Sequence, residues 1–149
     1  MKLAAIFPGQ GAQSVGMLAE IAQANVSVKA KFDIASQVLD FDLWSMVQDG
    51  PNEVLGSTEN TQPALLVASV ALWELWESGA EKVDVMAGHS LGEYSALVCA
   101  GAMSFTDGVK LVRTRGELMQ RAVPNGQGGM AAILGLDDDA IEACCVSVA

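Results

Sequence analysis

A serine flanked by glycines is the feature of this chain with the clearest chemical meaning. Gly88-His89-Ser90-Leu91-Gly92 fits the pattern Gly-x-Ser-x-Gly, with an apolar run before it and a helix-compatible segment after it. A chain that turns sharply from strand to helix exposes the serine hydroxyl, and the glycines let the two elements approach closely. The helix N-terminus places the Leu91 N–H to stabilise an oxyanion. The pattern predicts that Ser90 is a nucleophile for acyl transfer, and a serine that only caps the helix is the alternative.

A serine nucleophile needs a base to take its proton. The single histidine of the sequence is His89, directly before Ser90. Adjacent residues at such a turn point in different directions. We therefore expect His89 to shape the turn and the base to come from outside these 149 residues.

Two further side chains could act on an acyl group. Gln10 follows a short apolar run in a glycine-rich loop, where related serine enzymes place a second oxyanion donor. Arg115 lies in a helical stretch, and arginine binds a carboxylate through two parallel hydrogen bonds. From the residues alone, Gln10 could equally be a surface glutamine, and Arg115 could belong to a solvated basic face of its helix. Arg113 is as good a candidate as Arg115 for binding a carboxylate.

The spacing of apolar residues and turn residues predicts an α/β fold with a parallel sheet of the α/β-hydrolase type. The apolar run after Pro63 surrounds its axis on nearly all sides, so that helix should be central and buried. We predict an acyltransferase core over residues 1–123 and the start of a second unit over residues 124–149. Strands are predicted at residues 3–7, 83–87 and 130–134. In the first half of the chain, helices are predicted from near Gly16, at 28–39, and from about Thr61 to Gly79. In the second half, they are predicted at 93–100 with Gly101 as cap, from Thr106-Asp107 to about 123, and from Asp137 to Cys144.

Composition excludes several classes of function. The net charge is −10 with no basic stripe, which argues against nucleic acid as a partner. Neither a secretory signal nor a membrane-spanning stretch is evident, so we expect a cytoplasmic protein without a membrane partner. The three cysteines are Cys99, Cys144 and Cys145. They lack metal-ligand spacing, which predicts no metal site, and we expect all three to be buried as small hydrophobic residues.

Four motifs in register resemble one family. They are Pro8-Gly9-Gln10-Gly11-Ala12-Gln13, Thr61-Gln62-Pro63-Ala64, the stretch from Gly88 to Ala96, and Arg115-Gly116. Together they are similar to the malonyl-CoA:acyl carrier protein transacylases of bacterial fatty acid synthesis, over the N-terminal half of such proteins. Ala12 departs from the serine that is usual there, which puts little in doubt.

The resemblance implies a role for each matching position. Ser90 would take the malonyl group as an ester in a ping-pong reaction, Gln10 and the Leu91 N–H would hold the oxyanion, and Arg115 would bind the malonyl carboxylate. Gln62 would line the same cleft. The resemblance also implies a catalytic histidine beyond residue 149, malonyl-CoA as substrate with no cofactor, and acyl carrier protein and coenzyme A esters as partners. Residues 124–149 would begin a ferredoxin-like subdomain.

Three other functions stay open at this point. An acyltransferase domain of a polyketide synthase would share the motifs, although a start at Met1 favours a stand-alone enzyme. A serine esterase fits Gly-x-Ser-x-Gly but does not explain Arg115. A fragment without its histidine would bind coenzyme A esters and turn nothing over. An acidic carrier protein would need a local basic patch, for which the side chains of Lys110, Arg113 and Arg121 are weak candidates.

Overall fold

Two short parallel strands lie among helices in the computed structural model, which describes residues 2–79, 82–122, 127 and 133–148. Strand β1 is Ala4–Phe7 and strand β2 is Val85–Gly88. They pair in parallel, with Ala4 opposite Val85 and Phe7 opposite Gly88. The chain is therefore α/β, and both predicted strands of this pair are confirmed.

Helices make up most of the described chain. They are α1 (Ala19–Ala24), α2 (Val26–Leu39), α3 (Leu43–Asp49), α4 (Asn52–Gly56), α5 (Thr58–Glu77), α6 (Leu91–Cys99), α7 (Phe105–Ala122) and α8 (Asp138–Val148). None of these helices is long and apolar enough to cross a membrane.

Helix α5 is the centre of the core, as predicted. Every residue from Asn60 to Ala71 is buried, and α2, α6 and α7 pack against this helix. Its start was predicted wrongly, because α5 begins at Thr58 and Pro63 lies inside the helix rather than in its first turn. Proline has no N–H for the carbonyl four residues earlier. Arg113 of α7 donates a hydrogen bond to that carbonyl, on Glu59, at 3.1 Å instead.

The end of α6 follows the prediction. Gly101 has φ of 73°, its N–H donates to the Val98 carbonyl, and the Ala102 N–H donates to the Leu97 carbonyl. This pair of bonds is the Schellman arrangement, which satisfies two terminal carbonyls of the helix.

Three helix starts were also tested. Asp137 caps α8 as predicted, accepting from the Ala140 N–H at 2.9 Å. Helix α7 begins at Phe105, one residue before the predicted start at Thr106-Asp107, and Ser104 accepts from the Asp107 N–H at 3.1 Å. The helix expected near Gly16 begins only at Ala19, because Gly16 and Leu18 have φ of 83° and 65°, which a right-handed helix excludes.

The C-terminal predictions are only partly covered. Most of the proposed linker at 124–129 and strand at 130–134 falls outside the described residues. The expected burial of Cys144 and Cys145 was wrong, because α8 has no buried residue and both thiols are exposed. Cys99 is partly buried, and burial, reinforced by the carboxylates of Glu74 and Glu77, raises its pKa to about 12.

Candidate functional site

Ser90 stands at a sharp turn between β2 and α6. Its backbone has φ of 54° and ψ of −108°, in the positive-φ region that L-residues avoid. Such a residue costs of order 1–3 kcal/mol and persists only when its surroundings fix it. Two backbone bonds of His89 do so, since its N–H donates to the Phe7 carbonyl at 3.3 Å and its carbonyl accepts from the Gly92 N–H at 2.9 Å.

The two glycines of the motif are required by close approach of backbone to backbone. A Cβ on Gly88 would lie 1.9 Å from the Gly92 carbonyl carbon, and one on Gly92 would lie 2.2 Å from the Phe7 carbonyl oxygen. Neither space can hold a methyl group. The first turn of α6 therefore packs directly on the strand pair, and this packing leaves the Ser90 residue exposed.

Arg115 of α7 reaches Ser90 from across the site. Its Nη2 donates to Ser90 Oγ at 3.0 Å, and its Nη1 donates to Gln62 Oε1 at 2.8 Å. The guanidinium carbon also lies 5.5 Å from the centre of the Tyr94 ring, within the range of a cation–π contact. Three helices thus fix one guanidinium beside the serine hydroxyl.

Gln62 is fully buried and contacts protein side chains on both ends of its amide. Its Oε1 accepts from Arg115, and its Nε2 lies 3.3 Å from Met119 Sδ. Met119 and Arg115 are four residues apart on α7 and share a face of that helix. The position predicted from the Thr61-Gln62-Pro63 segment is therefore next to the arginine, with the side chain turned away from solvent.

Arg113, the other candidate cation, contacts the start of α5. Its Nη1 donates to Asn60 Oδ1 at 2.6 Å and to the Glu59 carbonyl at 3.1 Å. Its Nε donates to Glu117 Oε1 at 2.9 Å, so Arg113 is committed to the junction of α5 and α7. It is accordingly a poor member of the basic patch proposed for a carrier protein.

Gln10 and Leu91 lie on either side of the turn. The loop that carries Gln10 packs at the turn, since a Cβ on Gly9 would be 2.8 Å from the His89 carbonyl oxygen. The Gln10 side chain is directed to α5, where its Nε2 donates to Thr58 Oγ1 at 3.4 Å. Leu91 is the first residue of α6, so its N–H belongs to the donors that helix geometry leaves without an intrahelical partner.

The arrangement can bind an anion and present a hydroxyl, and in the described part of the chain the side chain that hydrogen-bonds to Ser90 Oγ is that of Arg115. Arginine remains protonated and cannot accept the serine proton. His89 contributes backbone bonds to the turn. Within the described residues no three side chains of histidine, cysteine, aspartate or glutamate lie together as a metal site.

Sequence reasoning missed the supports of Arg115. Met119 lies four residues after Arg115, a spacing that places both side chains on one face of α7, and Tyr94 lies in the first turn of α6, which begins directly after Ser90. The link from Gln62 to Arg115 spans 53 positions and depends on how α5 and α7 cross. That crossing leaves no periodic signal in the sequence.

Comparison with known proteins matches nearly the whole chain to acyl transferases. A family model described as an acyl transferase domain matches residues 5–147. The chain is 57% identical over 145 residues to a malonyl CoA-acyl carrier protein transacylase of Salmonella typhimurium, covering 97% of this chain and 47% of the relative.

Solved structures agree in fold. A crystal structure of an acyl carrier protein S-malonyltransferase from Vibrio cholerae matches with a TM-score of 0.88 and 57% identity, over 99% of this chain and 48% of that one. A complex of a type II PKS acyl-carrier protein with its malonyl-transacylase matches with a TM-score of 0.91 and 54% identity, over 99% and 48%. The chain spans about half the length of the curated relatives it matches.

Proposed function

The chain belongs to the acyl transferase domain family, and from this premise we propose that its protein transfers a malonyl group from malonyl-CoA to the phosphopantetheine thiol of an acyl carrier protein. The observation that carries the proposal is the 3.0 Å bond from Arg115 Nη2 to Ser90 Oγ. This bond holds a cation beside a hydroxyl at the N-terminus of a helix. A substrate with a carboxylate a short distance from its thioester fits that pair.

The proposed reaction has two half-reactions. Ser90 Oγ attacks the thioester carbonyl, its proton passes to a base, and the tetrahedral oxyanion is held by the Leu91 N–H and by Gln10. The C–S bond then breaks, coenzyme A leaves as its thiol, and a malonyl-serine ester remains. In the second half, the carrier thiol gives its proton to the base and its sulfur attacks the ester carbonyl, the C–O bond to Ser90 breaks, Ser90 Oγ takes the proton from the base, and the malonyl thioester of the carrier leaves.

Arg115 binds the malonyl carboxylate in this scheme, and Gln62 keeps the guanidinium in place. Because Arg115 already donates to Ser90 Oγ in the structure, carboxylate binding would exchange or share that bond. Gln10 would have to leave Thr58, to which its present bond is long at 3.4 Å.

One further part of the proposal lies in the length of the curated relatives that this chain does not span. We place the histidine base there. Residues 1–123 would form the N-terminal part of an α/β-hydrolase-like core, and residues 124–149 would begin a ferredoxin-like subdomain. The chemistry needs no resident cofactor, because the thioester is already activated.

The test uses a chimera in which this chain replaces the matching segment of the Salmonella typhimurium relative. Incubation with malonyl-CoA should increase the intact mass by one malonyl group, and peptide mapping should locate the ester at Ser90. The Ser90→Ala chimera should stay unlabelled. Normal labelling of that variant would overturn the assignment of the nucleophile.

A second destination for the malonyl group is favoured by one observation, the similarity to a malonyl-transacylase solved with a type II PKS acyl-carrier protein. In that case the chemistry at Ser90 is unchanged and only the carrier differs. Transfer rates to a fatty-acid carrier and to a polyketide carrier, measured with the same malonylated chimera, separate the two.

A further inference from the structure

The start of α5 is weakened where it matters for the site. Pro63 leaves the Glu59 carbonyl without its helical N–H donor. A proline also disfavours helical backbone at the preceding residue, which here is Gln62. Gln62 is the residue whose side chain holds Arg115 Nη1 at 2.8 Å. The turn of α5 that lacks a backbone hydrogen bond at Pro63 therefore carries Gln62, the hydrogen-bond partner of Arg115.

Arg113 supplies the donor that Pro63 lacks. Its Nη1 reaches both the freed Glu59 carbonyl, at 3.1 Å, and Asn60 Oδ1, at 2.6 Å. The Asn60 side chain in turn donates to the Val54 carbonyl of α4 at 2.9 Å, which fixes its orientation. One guanidinium thus joins the first turns of α5 to α7.

The Arg113 side chain is itself held in place. Its Nε donates to Glu117 Oε1 at 2.9 Å, and its guanidinium carbon lies 5.5 Å from the centre of the Phe41 ring. About a quarter of the side chain is exposed, at 26%. Its bonds to α5 are therefore partly shielded from competing water.

From this geometry we propose that Arg113 is a positioning residue: by replacing the N–H missing at Pro63, it fixes the turn from which Gln62 holds Arg115 at Ser90. The inference rests on the proposed function for its activity readout. It assigns no contact between Arg113 and substrate. Its effect on the reaction passes through α5, Gln62 and Arg115, in that order.

The first test measures malonyl transfer and acetyl transfer in the chimera, because only malonyl transfer uses the carboxylate site of Arg115. Arg113→Ala should lower the malonyl-to-acetyl ratio by about tenfold, since an ångström of misplacement costs up to about a hundredfold in rate. Arg113→Lys should recover part of the loss. The decisive variant is Pro63→Ala combined with Arg113→Ala. It restores a backbone N–H for the Glu59 carbonyl and should return the ratio to within about twofold of Pro63→Ala alone.

The matched control is Glu117→Gln, which removes the charge of the ion pair but keeps an amide oxygen that can accept from Arg113 Nε, so that Arg113 keeps its bonds to α5. It should leave the ratio unchanged. The proposal is overturned if Arg113→Ala leaves the malonyl-to-acetyl ratio unchanged. It is also overturned if adding Pro63→Ala to Arg113→Ala does not restore that ratio. If Arg115→Ala itself leaves the ratio unchanged, the proposed function fails at its carboxylate site instead.

A second readout needs no activity and uses the full chain. Arginine side-chain NMR should show hindered, protected guanidinium protons for Arg115, because both terminal nitrogens are hydrogen-bonded. We expect that protection to be lost in Arg113→Ala and regained with Pro63→Ala. Retained protection in Arg113→Ala would overturn the positioning role whatever the transfer assay gives.

Discussion

The guanidinium of Arg115 donates from Nη2 to the hydroxyl oxygen of Ser90 across 3.0 Å. A hydroxyl that accepts a bond keeps its own proton free for a base. A nearby positive charge also favours the alkoxide that forms when the proton leaves. Under the proposed function, the same side chain would therefore promote ionisation of the Ser90 hydroxyl and select a negatively charged acyl group.

The first prediction concerns Arg115. In the chimera, Arg115→Ala should lower malonyl transfer by roughly 10- to 100-fold, which corresponds to hydrogen bonds to a charged group at about 1.5–3 kcal/mol. Acetyl transfer should fall less. Arg115→Lys keeps the charge but not the planar fork, so it should restore little. Equal losses for the two acyl groups in steady-state assays would contradict a carboxylate clamp.

The second prediction concerns the crossing of α5 and α7 beside the site. A Cβ on Gly116 would lie 2.6 Å from the Glu59 Cα and 2.7 Å from the Thr58 carbonyl oxygen. Gly116→Ala should therefore lower the free energy of unfolding by about 1–3 kcal/mol, since these neighbours are backbone. Gly56→Ala in α4 is the control, because nothing lies within 4 Å of its added methyl. Urea denaturation of the chain measures both, and similar effects would be evidence against the close crossing.

The third prediction concerns a buried hydroxyl in α6. Ser95 is fully buried, and its Oγ has no hydrogen-bond partner among the described residues. Ser95→Ala should leave stability unchanged or raise it by up to about 1 kcal/mol, because an unmet polar group is removed. Ser36→Ala is the contrast, since Ser36 Oγ donates to the Phe32 carbonyl and accepts from the Leu43 N–H. A larger loss for Ser95→Ala than for Ser36→Ala in thermal unfolding would refute the expectation.

The fourth prediction is a pH dependence. Asp42 caps α3 by accepting from the Ser45 N–H at 2.9 Å and from its hydroxyl at 2.8 Å, and these bonds lower the pKa of its carboxyl below 3.8. The folded pKa is depressed, so the stabilisation is present above the unfolded pKa and is lost as pH falls through the folded value.

Asp42→Ala should therefore cost about 1 kcal/mol at neutral pH and less at about pH 2.5. Asp42→Asn keeps an acceptor oxygen and should show a smaller cost with little change between the two pH values. Denaturant titrations of the three proteins at both pH values measure this. A cost of Asp42→Ala that does not shrink in acid would show that the cap does not depend on the charge.

Sequence reasoning succeeded where the signal was local. The apolar runs before Gln10 and before Ser90 predicted β1 and β2, and Gly101 marked the end of α6 because a left-handed residue favours glycine there. It failed where a distant residue decides the outcome. Pro63 suggested a helix start, yet the helix begins five residues earlier, and the carbonyl that Pro63 leaves without an N–H accepts from Arg113, 54 positions beyond Glu59.

The choice between Arg113 and Arg115 shows the same limit. Both lie on α7, and their residue type and spacing cannot tell which one faces α6. The crossing of α5 and α7 decides it, turning one guanidinium to Ser90 and the other to Glu59. The exposure of Cys144 was missed for a related reason, since residue type predicts burial only when a partner surface exists.

The backbone of Ser90 has a consequence for protein engineering. A glycine at this position would adopt φ of 54° and ψ of −108° more easily than serine does. Directed evolution that selects only for thermal tolerance, or sequence redesign that scores only the backbone, should therefore favour glycine at residue 90. Selection for stability on this scaffold therefore needs a functional screen in parallel, because a glycine at this turn would remove the proposed nucleophile.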